Sequence, residues 1–351
     1  MHVPRLVIRR WALALATIAL AISHTPCLAV TIDWVTVGDP GNTADDTGYG
    51  AVADPFRIGK YEVTIGQYTD FLNAVAKSDP YSLYNPSMAT DLNIAGISRT
   101  GASGSYRYSV MGPSGITPAG ASSPGNRPIA YVSWFDSARF ANWMQNGQGS
   151  GDTETGAYTL NGATSGNAPA RNSGAQYYIP TEDQWYKAAY YKGGGRNAGY
   201  WDYATQSDSQ PWNLIGSSAN QANFYTTGYT VTQSSGDTPN QNLLTDVGAF
   251  TNSQSAYGTF DQSGNVMEWN DLTGTAGSSR GFRGGGWSAP GLYAWSNIRA
   301  THDPSIEILI SGFRLASSVD VPEIDPAGMS SVLAFLTGLL GILERRRAKV
   351  A

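Results

Sequence analysis

The chain has 351 residues, a formal net charge of −5, a charged fraction of 14% and only one cysteine. Its negative charge repels phosphate backbones, which argues against nucleic acid as a partner. The length allows one large domain with a sizeable core. The 41 glycines, 20 tyrosines and 10 tryptophans are typical of a loop-rich extracellular domain.

The N-terminus has the pattern of a secretory signal peptide. Three arginines precede a short apolar run, residues 11–22. Cys27 and Ala29 are small residues at the spacing that signal peptidase prefers. The arginines are Arg5, Arg9 and Arg10. We therefore predict a signal peptide over 1–29 and export. A retained anchor is the alternative, but the run is shorter than the roughly 20 residues that span a bilayer. A twin-arginine signal fits the residues after the arginine pair poorly.

The C-terminus combines Val321-Pro322-Glu323 with an uncharged apolar stretch, residues 327–343, and then Glu344-Arg345-Arg346-Arg347. This arrangement resembles the PEP-CTERM sorting tail of exported bacterial proteins. The resemblance implies a transmembrane stretch in 320–351, transient membrane association and an exosortase-type enzyme as partner. An ordinary single-span anchor is the alternative. Both interpretations place the domain in the periplasm, on the outer surface or outside the cell.

The segment between these ends, 30–319, is predicted to be the folded domain. Without the signal arginines its charge is about −8, because the charges of the tail cancel. The one cysteine is removed with the signal peptide, so the mature domain is expected to be stable without disulfides.

Three segments have a helix-start pattern, in which a hydroxyl side chain is followed three residues later by a polar partner. The pairs are Thr64 with Gln67, Ser133 with Asp136, and Thr181 with Gln184. Strands are predicted at 56–58 and 177–179, and long loops rich in Gly, Ser, Thr and Asn at 95–127, 147–174 and 204–247. The sequence therefore predicts an α+β fold with much irregular structure.

Six motifs then follow one another along the domain. They are Gly59-Lys60-Tyr61-Glu62-Val63-Thr64, Asn126-Arg127-Pro128-Ile129-Ala130-Tyr131-Val132-Ser133-Trp134, Ile179-Pro180-Thr181-Glu182-Asp183-Gln184-Trp185, Gly264-Asn265-Val266-Met267-Glu268-Trp269, Arg283-Gly284-Gly285-Gly286-Trp287 and Gly312-Phe313-Arg314. In kind and order they resemble the formylglycine-generating, or sulfatase-modifying factor, family. The resemblance implies that family's compact, loop-rich fold, which is related to C-type lectins.

The family's known chemistry does not match these residues. Its catalytic members bind copper through two cysteines, and those positions correspond by count to Ala289 and Ala294, whose methyl groups cannot ligate copper. A second branch holds iron with three histidines, whereas only His302 remains after removal of the signal peptide. Copper and formylglycine generation are therefore not expected, and no catalytic residue is predicted.

A structural calcium site is predicted around the turn that begins at Asp261. Calcium prefers six to eight oxygen ligands, which the carboxylates of Asp261 and Glu268 and the carbonyls of Gly264 and Val266 would supply in part. The resemblance supports these positions, and it suggests a second site. That second site comprises Asn223, the carbonyl of Phe224, and Asp237. The alternative is a turn that needs only its own hydrogen bonds.

The segment that lines the ligand face of this fold carries Trp287, Tyr293, Trp295 and Arg299. If its rings are exposed, they suit a sugar or a protein partner. The arginines near the motif ends more often bridge carbonyls and carboxylates structurally. The leading hypothesis is an exported, non-catalytic domain that binds a saccharide or an extracellular protein. The alternative is a maturation oxidoreductase of the same superfamily with chemistry that does not use cysteine.

Overall fold

Three helices begin at the hydroxyl residues that the sequence predicts. The computed structural model describes residues 29–112, 115, 123–236 and 240–319. Within them, α1 spans Ile65–Val75, α2 Ser87–Thr90, α3 Trp134–Gln145 and α4 Glu182–Tyr190. Thr64, Ser133 and Thr181 each accept the backbone N–H three residues on, and the side chain at that third position returns a bond to the cap. The three predicted capping boxes are confirmed.

Ten short strands form two four-stranded sheets and one hairpin in the described part of the chain. The strands are β1 Trp34–Val37, β2 Phe56–Gly59, β3 Ile97–Thr100, β4 Arg107–Val110, β5 Tyr177–Tyr178, β6 Met267–Asn270, β7 Arg280–Arg283, β8 Ala300–His302, β9 Ser311–Gly312 and β10 Ala316–Ser318. The first sheet has the order β1-β2-β10-β5 and is antiparallel. The second has the order β8-β7-β6-β9, with β6 and β9 parallel. The predicted α+β class and strands at 56–58 and 177–179 are confirmed.

Aromatic rings from three distant parts of the chain form the centre of the main core. Phe71 of α1 packs on Phe140 and Trp143 of α3, with ring centroids 5.3 Å apart in both cases. Phe313, which follows β9, packs edge-on against Phe140 at 5.4 Å. Edge-to-face pairs of this kind contribute beyond the area that they bury. The core therefore joins the helices to the C-terminal strands.

The prediction of a loop over 95–127 is wrong in part, because β3 and β4 form a hairpin there. Each strand has few apolar residues, so alternation in the sequence is weak. The hairpin is held instead by α1, where the Asn73 side chain accepts from the N–H of Tyr108 at 3.0 Å and donates to its carbonyl at 2.8 Å. A contact across 35 residues thus decides this element.

The other two predicted loops contain no helix or strand in their described residues. Polar side chains hold them in place. Asn142 donates to the carbonyls of Thr153 and Tyr158 at 2.7 and 2.9 Å.

Among the described residues no helix is long and apolar enough to cross a membrane. Residues 1–28 of the predicted signal peptide and the predicted tail lie outside the described residues.

Candidate functional site

A buried ion pair joins the last motif to the turn that begins at Asp261. Arg314 donates from Nε to Oε2 of Glu268 at 2.6 Å and from Nη2 to Oε1 at 2.7 Å. The indole of Trp185 donates to Glu268 Oε2 at 2.8 Å. Both charged side chains are fully buried. Bidentate geometry makes this a strong pair, and three further carbonyls complete the coordination of the guanidinium. Those carbonyls belong to Gly59, Lys60 and Phe260.

A second carboxylate, Glu62, lies in the same interior without a partner. Both of its oxygens are buried and accept no hydrogen bond. Burial, followed by the negative charges of Asp261 and Glu268, raises the pKa of Glu62 well above its usual value. Burial likewise raises the pKa of Asp261 to about 6. Three carboxyl groups thus lie near one guanidinium, and this excess of negative charge favours the protonated form of Glu62.

Outside this cluster, a further carboxylate, Glu182, binds two arginines at once. Arg283 donates from Nε to Oε1 at 2.8 Å, and Arg299 donates to both oxygens at 2.8 Å. The Arg283 guanidinium lies 4.7 Å from the ring of Tyr49 and 4.8 Å from that of Tyr186. Arg283 is fully buried, whereas 34% of the Arg299 side chain is exposed. Arg299, predicted to contact a ligand, therefore has a structural partner and one accessible edge.

Two of the predicted calcium ligands, Asn223 and Gly264, lie on loops that the backbone joins. Asn223 and Gly264 form a bridge, and the Asn265 N–H donates to the Asn223 carbonyl at 2.7 Å. Gly264 has φ +93°, and a β-carbon there would come within 2.3 Å of the Asn223 carbonyl oxygen. Only glycine permits this close approach. The structure thus brings Asn223 of one predicted site and Gly264 of the other together where their loops cross.

The donor atoms fit calcium unequally at the two predicted sites. The buried Oδ1 of Asn223 has no hydrogen-bond partner, so this amide oxygen is available to a cation. Both oxygens of Glu268 already bind Arg314, and Asp261 Oδ2 accepts from the Gly248 N–H at 2.6 Å. Asp237 lies outside the described residues. Among the described residues, no three His, Cys, Asp or Glu side chains converge as a metal cluster. Calcium at either site stays a prediction.

The motif order and these contacts agree with a family comparison. The model of the sulfatase-modifying factor enzyme 1-like domain matches residues 39–319. The chain belongs to this family. No curated protein is significantly similar to it in sequence.

Several solved structures are also similar to the chain of this sulfatase-modifying factor domain. The crystal structure of CarF is 20% identical with a TM-score of 0.47, and covers 83% of this chain and 99% of its own. Treponema denticola variable protein 1 is 18% identical with a TM-score of 0.47, covering 83% and 97%. PvdO from Pseudomonas aeruginosa is 19% identical with a TM-score of 0.39, covering 82% and 92%.

The two positions matched by count in the sequence to copper cysteines, Ala289 and Ala294, lie just before and at the end of a short 3-10 helix, Gly291–Ala294. Ala289 is partly exposed and accepts from the Tyr225 N–H at 2.9 Å through its carbonyl. Ala294 is buried, and its carbonyl accepts from the Tyr190 hydroxyl at 3.2 Å. In this sulfatase-modifying factor domain, backbone contacts keep that region ordered, and no thiol is present in its described residues.

The predicted ligand-contacting aromatics separate into two groups. Tyr293 and Trp295 are 45% and 38% exposed. Trp287, also among the predicted ligand contacts, is only 3% exposed. Its ring packs 5.8 Å from that of Tyr229, and its indole N–H donates to the Leu309 carbonyl at 3.4 Å. Trp287 therefore belongs to the core because residues far away in sequence cover it.

Sequence reasoning missed the most exposed aromatic of the described residues, Trp212, at 69%. Its loop lies alongside the Tyr293 segment: a β-carbon on Gly291 would come within 2.8 Å of the Gln210 side chain, and the Ser296 N–H donates to the Asp202 carbonyl at 2.9 Å. The only available signal was a tryptophan between polar residues, which does not reveal exposure.

Proposed function

We propose that this protein is an exported, non-catalytic member of its family that binds an extracellular protein through the aromatic surface. The aromatic surface is defined by five side chains on the two neighbouring loops. They are Trp212, Leu214, Leu292, Tyr293 and Trp295. Three exposed rings and two exposed leucines on adjacent loops are the observation that supports the proposal most directly, because exposed apolar side chains of this kind mark interaction sites.

The loops of the aromatic surface are held by their own backbone. The Trp212 N–H donates to the Asn220 carbonyl at 2.9 Å, and the Tyr293 N–H donates to the Pro290 carbonyl at 2.9 Å. The Gln221 side chain donates to the Leu214 carbonyl at 2.6 Å. Ordered loops lose less conformational entropy on binding. These contacts support a preformed surface.

A protein fits this surface better than a saccharide, the other candidate ligand. Leu214 and Leu292 are about half exposed and have no flat face on which a sugar ring could stack. Aromatic anchors combined with aliphatic neighbours are typical of protein interfaces, where a few such residues dominate the binding energy. The domain's negative charge favours a neutral or basic partner surface.

The burial of the carboxyl cluster supports a non-catalytic role. Glu62 and Glu268 are sealed in the interior, so a substrate cannot reach them. Asp261 lines a small cleft with Gln221 and Ser263, but that cleft is too narrow to hold a water molecule. General acid–base catalysis needs a group within hydrogen-bond reach of substrate. The alternative, a maturation oxidoreductase that does not use cysteine, would need such a group, and Glu62 and Glu268 do not provide it.

We also propose that calcium binds at the crossing of the two loops, with the Asn223 Oδ1 as a ligand. Calcium accepts amide and carbonyl oxygens, and the ion would tie the 223 loop to the turn that contains Gly264. Its role would be structural.

Site-specific photo-crosslinking tests the binding proposal. A benzophenone amino acid replaces Trp212 or Tyr293 in the full chain expressed in its own host, and an exposed position in the β3–β4 turn, Ser103, serves as the control. We expect protein adducts from positions 212 and 293 that are absent from 103. The purified domain carrying Trp212→Ala should lose binding to the crosslinked partner by at least tenfold while its melting temperature stays unchanged.

Two results would contradict the proposal. The first is an absence of protein adducts at 212 and 293 together with binding of the purified domain to a glycan array that Trp212→Ala abolishes, which would favour a saccharide. The second is turnover of a thiol-containing peptide by the purified domain alone, which would favour the oxidoreductase.

A further inference from the structure

The first residue of the predicted mature chain, Val30, is held on both sides of its backbone by one glutamine. The Val30 N–H donates to Gln148 Oε1 at 2.7 Å, and Gln148 Nε2 donates to the Val30 carbonyl at 2.8 Å. The Val30 side chain is only 7% exposed and belongs to the main core. Ala29, immediately before it, is exposed. The boundary of the folded domain therefore coincides with the bond between residues 29 and 30.

Thr31 and Asp33 are more exposed than Val30, but their carbonyls are also hydrogen-bonded to the domain. Gln67 Nε2 donates to the Thr31 carbonyl at 2.8 Å, and the Lys60 N–H donates to the Asp33 carbonyl at 2.7 Å. Four hydrogen bonds and one buried side chain thus fix the backbone on the C-terminal side of the 29–30 bond. An endopeptidase needs the backbone around the bond that it cleaves to be free to enter its active site, and on the C-terminal side these hydrogen bonds hold that backbone on the domain.

We infer that the bond between Ala29 and Val30 is a processing site that folding closes, so that cleavage has to come before the domain folds. This inference depends on the predicted signal peptide and is independent of the aromatic surface. An export route that carries folded domains would deliver the domain with Val30 already buried and hydrogen-bonded to Gln148. The geometry therefore fits export of an unfolded chain rather than a twin-arginine route.

The chemistry of cleavage suits the contacts that follow it. Water attacks the Ala29 carbonyl carbon, the bond from that carbon to the Val30 nitrogen breaks, Ala29 leaves as a carboxylate, and the Val30 nitrogen is released as an ammonium group. An ammonium group has donors and no acceptor. Gln148 Oε1 is an acceptor, so the bond seen at 2.7 Å persists and becomes charge-assisted. Processing thus preserves the docking of the new terminus.

The experiment compares two times of addition of a purified type I signal peptidase to the full chain made by cell-free translation. In one arm the peptidase is present during synthesis, and in the other it is added after the domain has become resistant to a general protease. An unrelated preprotein in the same tube reports that the peptidase stays active. The product is identified by N-terminal sequencing. We expect Val30 as the new N-terminus in the first arm, and cleavage on the order of 100-fold slower in the second, because the four hydrogen bonds must open first.

Two variants test the role of Gln148. Gln148 has φ +65°, so Gln148→Gly suits the backbone while removing both side-chain bonds. Gln145→Ala is the matched control, since Gln145, the last residue of α3, is only three positions away but accepts from the N–H groups of Gln176 and Tyr177 instead. In the folded precursor we expect Gln148→Gly to be cleaved roughly tenfold faster than the wild type, and Gln145→Ala at the wild-type rate.

Equal cleavage of folded and nascent chains would overturn the inference, and so would a mature N-terminus elsewhere than Val30. If Gln148→Gly and Gln145→Ala change the cleavage rate equally, the role of the two hydrogen bonds between Gln148 and Val30 is refuted, because general destabilisation of the domain then explains both results.

Discussion

Replacement of Arg314 by lysine tests whether the geometry of the buried guanidinium, rather than its charge, stabilises the domain. Arg314 makes five hydrogen bonds, two to Glu268 and three to backbone carbonyls. Lysine keeps the positive charge but has only three donors on one nitrogen. At least two buried acceptors would therefore be left without a partner.

Each buried acceptor that loses its hydrogen bond costs about 1–3 kcal/mol. Two of them give an expected loss of about 2–6 kcal/mol in the free energy of unfolding, with about 4 kcal/mol as the central value. A domain of this kind has a total stability of about 5–15 kcal/mol. The variant is therefore expected to fold with only part of the wild-type stability.

Urea unfolding followed by tryptophan fluorescence measures the effect. With a slope of about 3 kcal/mol per molar urea, the midpoint should fall by roughly 1 M or more. Arg299→Lys is the matched control, because Arg299 also binds a glutamate with two bonds at 2.8 Å, but 34% of its side chain is exposed. We expect less than about 1 kcal/mol for the control. Equal losses in the two variants, or a loss below about 1 kcal/mol for Arg314→Lys, would refute the reasoning.

The stability of Glu62→Gln relative to the wild type should increase as pH rises. The raised pKa of Glu62 means that the folded wild type keeps a proton that the unfolded chain releases above about 4.5, so the wild type loses stability with rising pH and the glutamine variant does not. Urea unfolding of both proteins between pH 5 and 8 should show a widening difference in their free energies of unfolding, and a constant difference would contradict the raised pKa. Gly264→Ala should lower the free energy of unfolding by at least about 2 kcal/mol, because the added methyl group meets a backbone oxygen. The control, Gly174→Ala, has φ +78° and no atom within 4 Å, so it should lose only about 1 kcal/mol through backbone strain. Similar losses for the two variants in thermal melts would argue against the close approach at Gly264. Calcium at 100 times its dissociation constant should stabilise the wild type by about 2.7 kcal/mol, and Asn223→Ala should abolish this stabilisation. Thermal melts with calcium and with chelator measure the effect. Stabilisation by calcium that persists in the variant would exclude Asn223 as a ligand.

Local patterns in the sequence were enough for the elements that depend on near neighbours. Each capping box is set by two residues three positions apart, so Thr64, Ser133 and Thr181 identify their helices without reference to the rest of the fold. The β3–β4 hairpin was missed because it depends on Asn73, which lies 35 residues before Tyr108.

The candidate site was predictable only in composition. The motif glycines and charged residues were recognisable, but the sequence did not indicate that Glu62 would be buried without a partner or that Glu268 would bind Arg314 across 46 residues. Such pairings depend on which strands meet in the second sheet and on how the segment around Arg314 packs against residues 59–62, at the end of β2 and just after it. No pattern of local spacing contains that information.

The sequence by itself determined the family, the α+β class, the helix starts and the lack of a cysteine after residue 27. Only the tertiary structure decided which aromatic rings face solvent. Trp287 and Trp295 lie eight positions apart in similar polar and glycine-rich surroundings, yet the first is covered by Tyr229 and the second is exposed. The reason is physical: a helix cap is satisfied by atoms within one turn of chain, whereas the exposure of a ring is decided by atoms that the fold brings from far away.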